Sequence, residues 1–264
     1  MPILYGFLIN AILGALLSGF SLALFSPYVT LRRISYLGEA LSHIAFAGIA
    51  IALITGLNFT ITTLAFVILV ALAIGRLAER RKLDETNSIT IFLSVSMALG
   101  IVLISLKRGY TFDLSSYLFG NVLMVNATDL ISLAVMATLN AIFISVFYKQ
   151  LFYLTYNPEI ARVFRVPTQL TNRLFLILLA ANIVISLKTA GIILVSAQLI
   201  LPAAIAANLT RKFRSVLVIC LAAAVISSLG GFALSWWLNL PTGATIVILE
   251  FFLYLLSLSL RKKF

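Results

Sequence analysis

Two side chains of this 264-residue sequence could do chemistry together, because they stand one helical turn apart. Glu39 and His43 fall near the start of an apolar stretch, and His43 is the single histidine of the chain. A spacing of four residues places both on one face of a helix, with Cβ atoms about 5–6 Å apart. An imidazole nitrogen and a carboxylate oxygen suit Zn²⁺ or Mn²⁺ better than Mg²⁺ or an organic substrate. The pair is therefore a candidate metal site.

Two other interpretations of the pair stay open at this point. The two side chains could simply satisfy each other through a hydrogen bond between helices, or they could handle protons. An ionisable side chain inside a bilayer costs about 2.5–3.5 kcal/mol on insertion scales, which makes each one a functional candidate. Ala40, Ala47 and Ala50 lie near the same stripe, where they would let another helix approach closely or leave room for an ion.

A second polar group precedes a proline. Gln198 stands four residues before Pro202, whose ring removes a backbone donor and predicts a helix break near residue 198. We expect Ser196 or Gln198 to satisfy the freed carbonyl, with contact to an ion on its path as the alternative. Glu250 lies in the last apolar stretch without a titratable neighbour in sequence, so an interhelical hydrogen bond or a protonated state is expected for it.

The composition shows which elements must position these residues. The chain is 62% hydrophobic and only 10% charged, whereas a soluble domain is about 45–50% apolar and about 25% charged. A folded soluble protein needs a more polar exterior than this sequence can supply. The chain is therefore an integral membrane protein, of all-α class, and we treat residues 1–264 as a single transmembrane domain.

Spanning helices need about 20 mostly apolar residues. The sequence predicts nine candidates, of which the sixth and seventh could instead form one broken helix and reduce the number to eight: 4–28, 37–57, 59–76, 87–106, 129–148, 173–188, 190–209, 215–238 and 243–260.

The basic residues predict the orientation. With the N-terminus outside and the C-terminus inside, sixteen of the 19 Lys and Arg residues fall in inner segments. Cytoplasmic loops carry such an excess of basic residues. The net charge of +11 is thus interpreted as membrane anchoring rather than nucleic-acid binding.

Two connections are too long for simple turns. Residues 107–128 lie outside by this topology and predict a short interfacial or re-entrant helix around 117–121. Residues 149–172 lie inside, where Asn157 as cap, Pro158 at the first helical position and Glu159 predict a small amphipathic helix on the cytoplasmic face.

Signatures of catalysis are missing from the sequence. It has no G-x-S-x-G, no H-E-x-x-H and no phosphate-binding Gly-rich loop. Hydrolytic or redox chemistry has almost nothing to work with, so we expect a protein that is not an enzyme and has no cofactor of its own. If it uses ATP, another polypeptide must bind the nucleotide.

Five collinear segments resemble the ABC-3 family, the membrane permeases of bacterial zinc, manganese and iron ABC importers. The first resembles the family signature LRR…GDALSHA and runs from Leu31 to His43. The others are Ser116–Asn121 (similar to LLFGNIL), Asn157–Arg162 with Val166-Pro167 (DPEFAR…GVP), Ser186–Ser196 with Pro202–Ala204 (SIKVVGVLLVSALLIIPAA) and Leu240–Gly243 (DLPPG).

This resemblance implies a homodimeric type II importer permease that works with a cytoplasmic ATPase dimer and an extracytoplasmic metal-binding protein. It implies Glu39 and His43 in the metal path. It also implies contact with the ATPase through a segment comprising Asn157, Pro158, Glu159, Ala161, Arg162, Val166 and Pro167. The expected location is the cytoplasmic membrane of a bacterium or archaeon.

The sequence departs from the family at two positions. Glu39 stands where most members have Asp, which changes the reach of the carboxylate, and Gln198 replaces a usually apolar residue. Zn²⁺ is the first expected cargo by affinity order, with Mn²⁺ and Fe²⁺ as alternatives. A secondary metal transporter or channel without an ATPase, and an intramembrane enzyme or scaffold acting on lipid head groups, are the rival classes.

Overall fold

The computed structural model describes residues 2–79, 85–106, 120, 125–156 and 167–260. Within these ranges every regular element is an α-helix, so the predicted all-α class is confirmed. We number the helices in chain order as α1 (Pro2–Leu31), α2 (Ser35–Thr55), α3 (Phe59–Glu79), α4 (Glu85–Leu106), α5 (Ala127–Val146), α6 (Tyr148–Tyr156), α7 (Thr168–Gln198), α8 (Leu201–Leu209), α9 (Phe213–Leu238) and α10 (Thr242–Ser259).

Eight helical segments of the described chain are long and apolar enough to cross a bilayer. Seven of them hold 18 to 26 residues, close to the length that one crossing needs. The eighth, 168–209, comprises α7 and α8 and holds 42 residues. Its length is enough for two crossings.

This long segment doubles back at Gly191, whose φ of 73° and ψ of 168° interrupt the helix. Glycine adopts a positive φ without the steric cost that a Cβ would bring. In the first half of the segment, Asn182 accepts a hydrogen bond from Ser21 of α1, and Asn172 accepts one from Arg32, both at 2.7 Å. The first half therefore runs antiparallel to α1.

The second half returns along the same helix. Gln198 lies beside Gly19, and the Ala203 N–H donates to the Ser26 hydroxyl at 3.0 Å. As the chain advances toward α8, its partners on α1 also advance, so this half runs parallel to α1. The two apolar stretches predicted at 173–188 and 190–209 are thus separate crossings.

The packed interior surrounds α1. Phe25, Tyr28 and Phe175 are completely buried, and the ring centroid of Phe175 lies 5.2 Å from that of Phe25 and 6.3 Å from that of Tyr28. The Arg32 guanidinium covers the Phe175 ring at 5.1 Å. These contacts hold the end of α1 and with it the start of α2.

Candidate functional site

Glu39 and His43 lie in the first half of α2, which begins at Ser35 directly after a tight connection from α1. In that connection Arg33 has a φ of 60°, and the Ile34 N–H donates to a carbonyl of α1 at 3.0 Å. The two candidate ligands share one helical face, as their spacing requires. Glu39 is exposed in the single chain and His43 is partly exposed.

Close packing fixes α2 on other sides. A Cβ added to Gly38 would lie 2.6 Å from Leu199 Cδ1, and one added to Gly48 would lie 2.8 Å from the Cα of Thr63. The turn between α7 and α8 therefore touches α2 next to Glu39, and α3 touches it farther along. Glu39 stays uncovered because none of these contacts reaches its side of the helix.

The three alanines near the stripe of Glu39 and His43 serve close helix packing, which is one of the two roles predicted for them. Ala40, Ala47 and Ala50 are completely buried. A Cβ on Gly100 of α4 would come within 3.2 Å of the Ala47 Cα. The small side chains thus allow a close approach of helices within the chain itself.

Within the described part of the chain, Glu39 and His43 stand without further metal ligands. Among the residues that the structure describes, neither Glu39 nor His43 has a hydrogen-bond partner, so the hydrogen bond of the alternative interpretation is not formed. The described residues also contain no group of three or more His, Cys, Asp or Glu side chains that could hold a metal ion. A zinc site usually has three or four protein ligands, so Glu39 and His43 by themselves would not complete one.

The predicted helix break is present. Helix α7 ends at Gln198, a two-residue turn follows, and Pro202 stands in the first turn of α8, where its missing N–H needs no helical partner. The expectation that Ser196 or Gln198 satisfies a freed carbonyl is wrong, because neither side chain has a hydrogen-bond partner within the described ranges. The break is instead stabilised from α1, since Ser26 accepts the Ala203 N–H.

The Gln198 amide points into the contact between α1 and α9. A Cβ on Gly19 would lie 2.6 Å from Ser228 Oγ and 3.5 Å from Gln198 Nε2. Gln198 is completely buried there. Leu199 therefore packs against the part of α2 that carries Glu39. The neighbouring Gln198 side chain points away from Glu39, into the contact between α1 and α9.

Glu250 has a different environment from Glu39. It is completely buried on α10, where Ser227 of α9 donates to its Oε1 at 3.5 Å. The expected interhelical hydrogen bond is present at the long limit of such bonds. Elsewhere in the interior, asparagines link helices as their residue type predicts: Asn140 donates to the Ser21 hydroxyl at 2.8 Å, and Ser21 donates to Asn182 at 2.7 Å.

Most of the predicted ATPase-contact segment, from Asn157 to Val166, lies outside the described residues, as does the helix predicted around 117–121 apart from Gly120. Pro167 is described and is the N-cap residue of α7. The helix before the segment, α6, packs on Phe213 of α9, with ring centroids at 5.3 Å from Phe152 and 5.8 Å from Tyr148.

Fold and site together define the class of the protein: a multi-pass helical membrane protein whose second helix carries an exposed acid and a partly exposed imidazole inside a span. Residues 4–261 match the model of the ABC 3 transport family. The chain belongs to this family, and it is an ABC permease, which is a membrane subunit rather than an enzyme.

Several known proteins are similar to the chain over nearly its whole length. The manganese transport system membrane protein MntC of Halalkalibacterium halodurans is 35% identical, covering 96% of this chain and 87% of its own. The high-affinity zinc uptake system membrane protein ZnuB of Haemophilus influenzae is 30% identical, covering 94% and 97%. One chain of the structure of PsaBC from Streptococcus pneumoniae in complex with Fab has a TM-score of 0.83 at 29% identity, covering 95% and 90%.

Proposed function

We propose that the chain is the permease subunit of an ATP-driven importer of divalent transition-metal ions. The observation that carries the proposal is the pair of Glu39, which is exposed, and His43, which is partly exposed, on one face of a helix that can span the membrane. Intramembrane ionisable side chains mark ion paths. The names of relatives support a metal as cargo, since one is a manganese and one a zinc transport protein.

A second copy of the chain would complete the site. Two copies related by a twofold axis would bring two carboxylates and two imidazoles to one axis. The partner copy would also cover Glu39, whose exposure to lipid is costly. Transient coordination by such a pair must stay weak enough for the ion to leave again.

Zn²⁺ is the first cargo to test. Ligands of nitrogen and oxygen bind Zn²⁺ more tightly than Mn²⁺ or Fe²⁺. Because a manganese protein and a zinc protein are both among the relatives, the same experiment should compare the ions.

ATP binding belongs to a partner. The sequence has no phosphate-binding Gly-rich loop, so we infer a cytoplasmic ATPase dimer at the end of the bundle that holds most of the basic residues, contacted through residues 157–167. A metal-binding protein would deliver the ion at the opposite end. The distribution of basic residues supports an N-terminus outside and a C-terminus inside, in the cytoplasmic membrane.

The test is uptake of radioactive zinc and manganese by cells that lack their own importers. His43→Ala and Glu39→Ala should abolish accumulation at equal expression, while Tyr36→Phe, on the same exposed side of α2, should leave it unchanged. Wild-type uptake by both alanine variants would refute the proposed metal path. Uptake that continues without the ATPase would favour a secondary transporter instead.

Contact with the ATPase has a separate test. Charge reversal at Glu159 or Arg162 should abolish the stimulation of ATP hydrolysis by the permease while the variant remains in the membrane. Unchanged stimulation by both variants would remove these residues from the contact.

A further inference from the structure

A groove between α3 and α7 combines apolar walls with two arginines. It has a volume of about 180 Å³ and is lined on α3 by Leu69, Leu72 and Ala73. Arg76 and Arg173 line the same groove at one end. The Glu39–His43 pair is not among its lining residues.

The groove lies on the bilayer-facing surface of the chain. Leu69 is 66% exposed, although its helix is one of the spans. Opposite it, Leu176 of α7 is almost completely buried and forms the floor. A Cβ on Gly75 would lie 2.5 Å from Leu176 Cδ1. The glycine therefore allows Leu176 to occupy its position at the floor of the groove.

The arginines lie where the span ends. Arg76 is in the last turn of α3, and Arg173 is in the second turn of α7, which starts at the same end of the bundle. Both residues are exposed. Seven residues of helix separate Leu69 from Arg76, a rise of about 10 Å. The groove therefore runs from head-group depth toward the hydrocarbon region.

We propose that this groove binds an anionic phospholipid, with its phosphate between Arg76 and Arg173 and the upper part of one acyl chain along Leu69, Leu72 and Ala73. Two guanidinium groups beside one cavity attract an anion, and their planar donors match the geometry of a phosphate. A basic pocket between transmembrane helices is a known type of lipid head-group site.

The shape of the groove favours a lipid over an acidic segment of a soluble partner. The apolar walls extend about two helical turns away from the arginines into the span. A segment of a soluble protein does not enter the hydrocarbon region of the bilayer, whereas the acyl chain of a lipid already lies in it. The proposal does not depend on which ion the permease carries.

The experiment is native mass spectrometry of the full-length chain in detergent with added phosphatidylglycerol or phosphatidylcholine. We expect phosphatidylglycerol to be retained preferentially. The double variant Arg76→Gln/Arg173→Gln should weaken that retention on the order of tenfold. Arg214→Gln, which removes an exposed arginine from the start of α9 outside the groove, should not change it.

A groove-filling variant separates lipid from free phosphate. Ala73→Phe leaves both arginines in place, so it should lose phosphatidylglycerol while its helical circular dichroism and melting temperature stay near wild type. Equal retention of the two lipids would overturn the proposal, as would equal retention by all variants. Displacement of the lipid by inorganic phosphate at equal concentration would also overturn it. Loss of ATPase binding with unchanged lipid retention would assign the arginines to a protein contact instead.

Discussion

Glu39 and Glu250 are both carboxylates inside apolar helices, yet the fold treats them in opposite ways. Glu39 is exposed on the outer side of α2, and Glu250 is completely buried between α9 and α10. The buried acid has a hydrogen-bond donor in its own chain, Ser227. Polar groups in the spans are therefore of two kinds. Some, like Glu250, join helices of one chain, and others, like Glu39, are available to an ion or a second subunit.

The largest expected effect compares the two acids directly. Glu39→Gln removes the charge of the proposed metal ligand and should reduce metal uptake by about tenfold or more, since each 1.4 kcal/mol of lost binding is a factor of ten. Glu250→Gln keeps an acceptor for Ser227 and should leave uptake close to wild type. Uptake of radioactive zinc and manganese at matched expression checks both variants. Equal losses in the two would erase the distinction between them.

The next effect concerns stability where Glu250 is buried. A Cβ on Gly231 would lie 2.6 Å from the Ile246 Cα, which is backbone and cannot give way. Gly231→Ala should force α9 and α10 apart and cost about 1–3 kcal/mol. A Cβ on Gly230 would meet only the end of the Leu249 side chain, at 2.8 Å, so Gly230→Ala is the matched control. Thermal unfolding in detergent measures both, and similar melting temperatures would contradict the packing argument.

A smaller effect is expected in the interior around α1. Ser21 donates to Asn182 and accepts from Asn140, so Ser21→Ala leaves two buried amides without this partner. The expected loss of stability is about 1 kcal/mol. Among the described residues, Ser18 bonds to the Ala15 carbonyl of its own helix and to no other helix, and Ser18→Ala should unfold near the wild-type temperature. Equal melting temperatures of the two variants would show that the bridge between helices adds nothing.

The smallest effect is at the turn where the chain reverses. Lys188 pairs with Asp129 at 2.8 Å, but 59% of the lysine side chain is exposed. Exposed ion pairs contribute at most about 1 kcal/mol. Lys188→Met should therefore shift the melting temperature only slightly, and less in high salt, with uptake unchanged. A large loss of uptake would place this ion pair in the transport machinery.

Much of the fold could be predicted because its main signal is local. Apolar stretches of spanning length appear in the sequence itself, and the pairing of Glu39 with His43 on one face follows from helical geometry. The break before Pro202 follows from proline chemistry. The role expected of Gln198 failed, since its amide is buried without a partner among the described residues, and the contact that does form at the break, from the Ala203 N–H to Ser26, joins residues distant in sequence.

The sequence by itself determined that the chain is helical, that it crosses the membrane repeatedly, and that one turn of α2 presents an acid and an imidazole together. Hydropathy and helical period depend only on neighbours along the chain, which is why these properties can be read without a fold. Only the tertiary structure decided that α7 turns back at Gly191, that Gln198 faces inward and that Glu39 remains uncovered. Those outcomes depend on which helices, distant in sequence, pack against each other. That choice is determined by how their side chains fit in a close-packed interior.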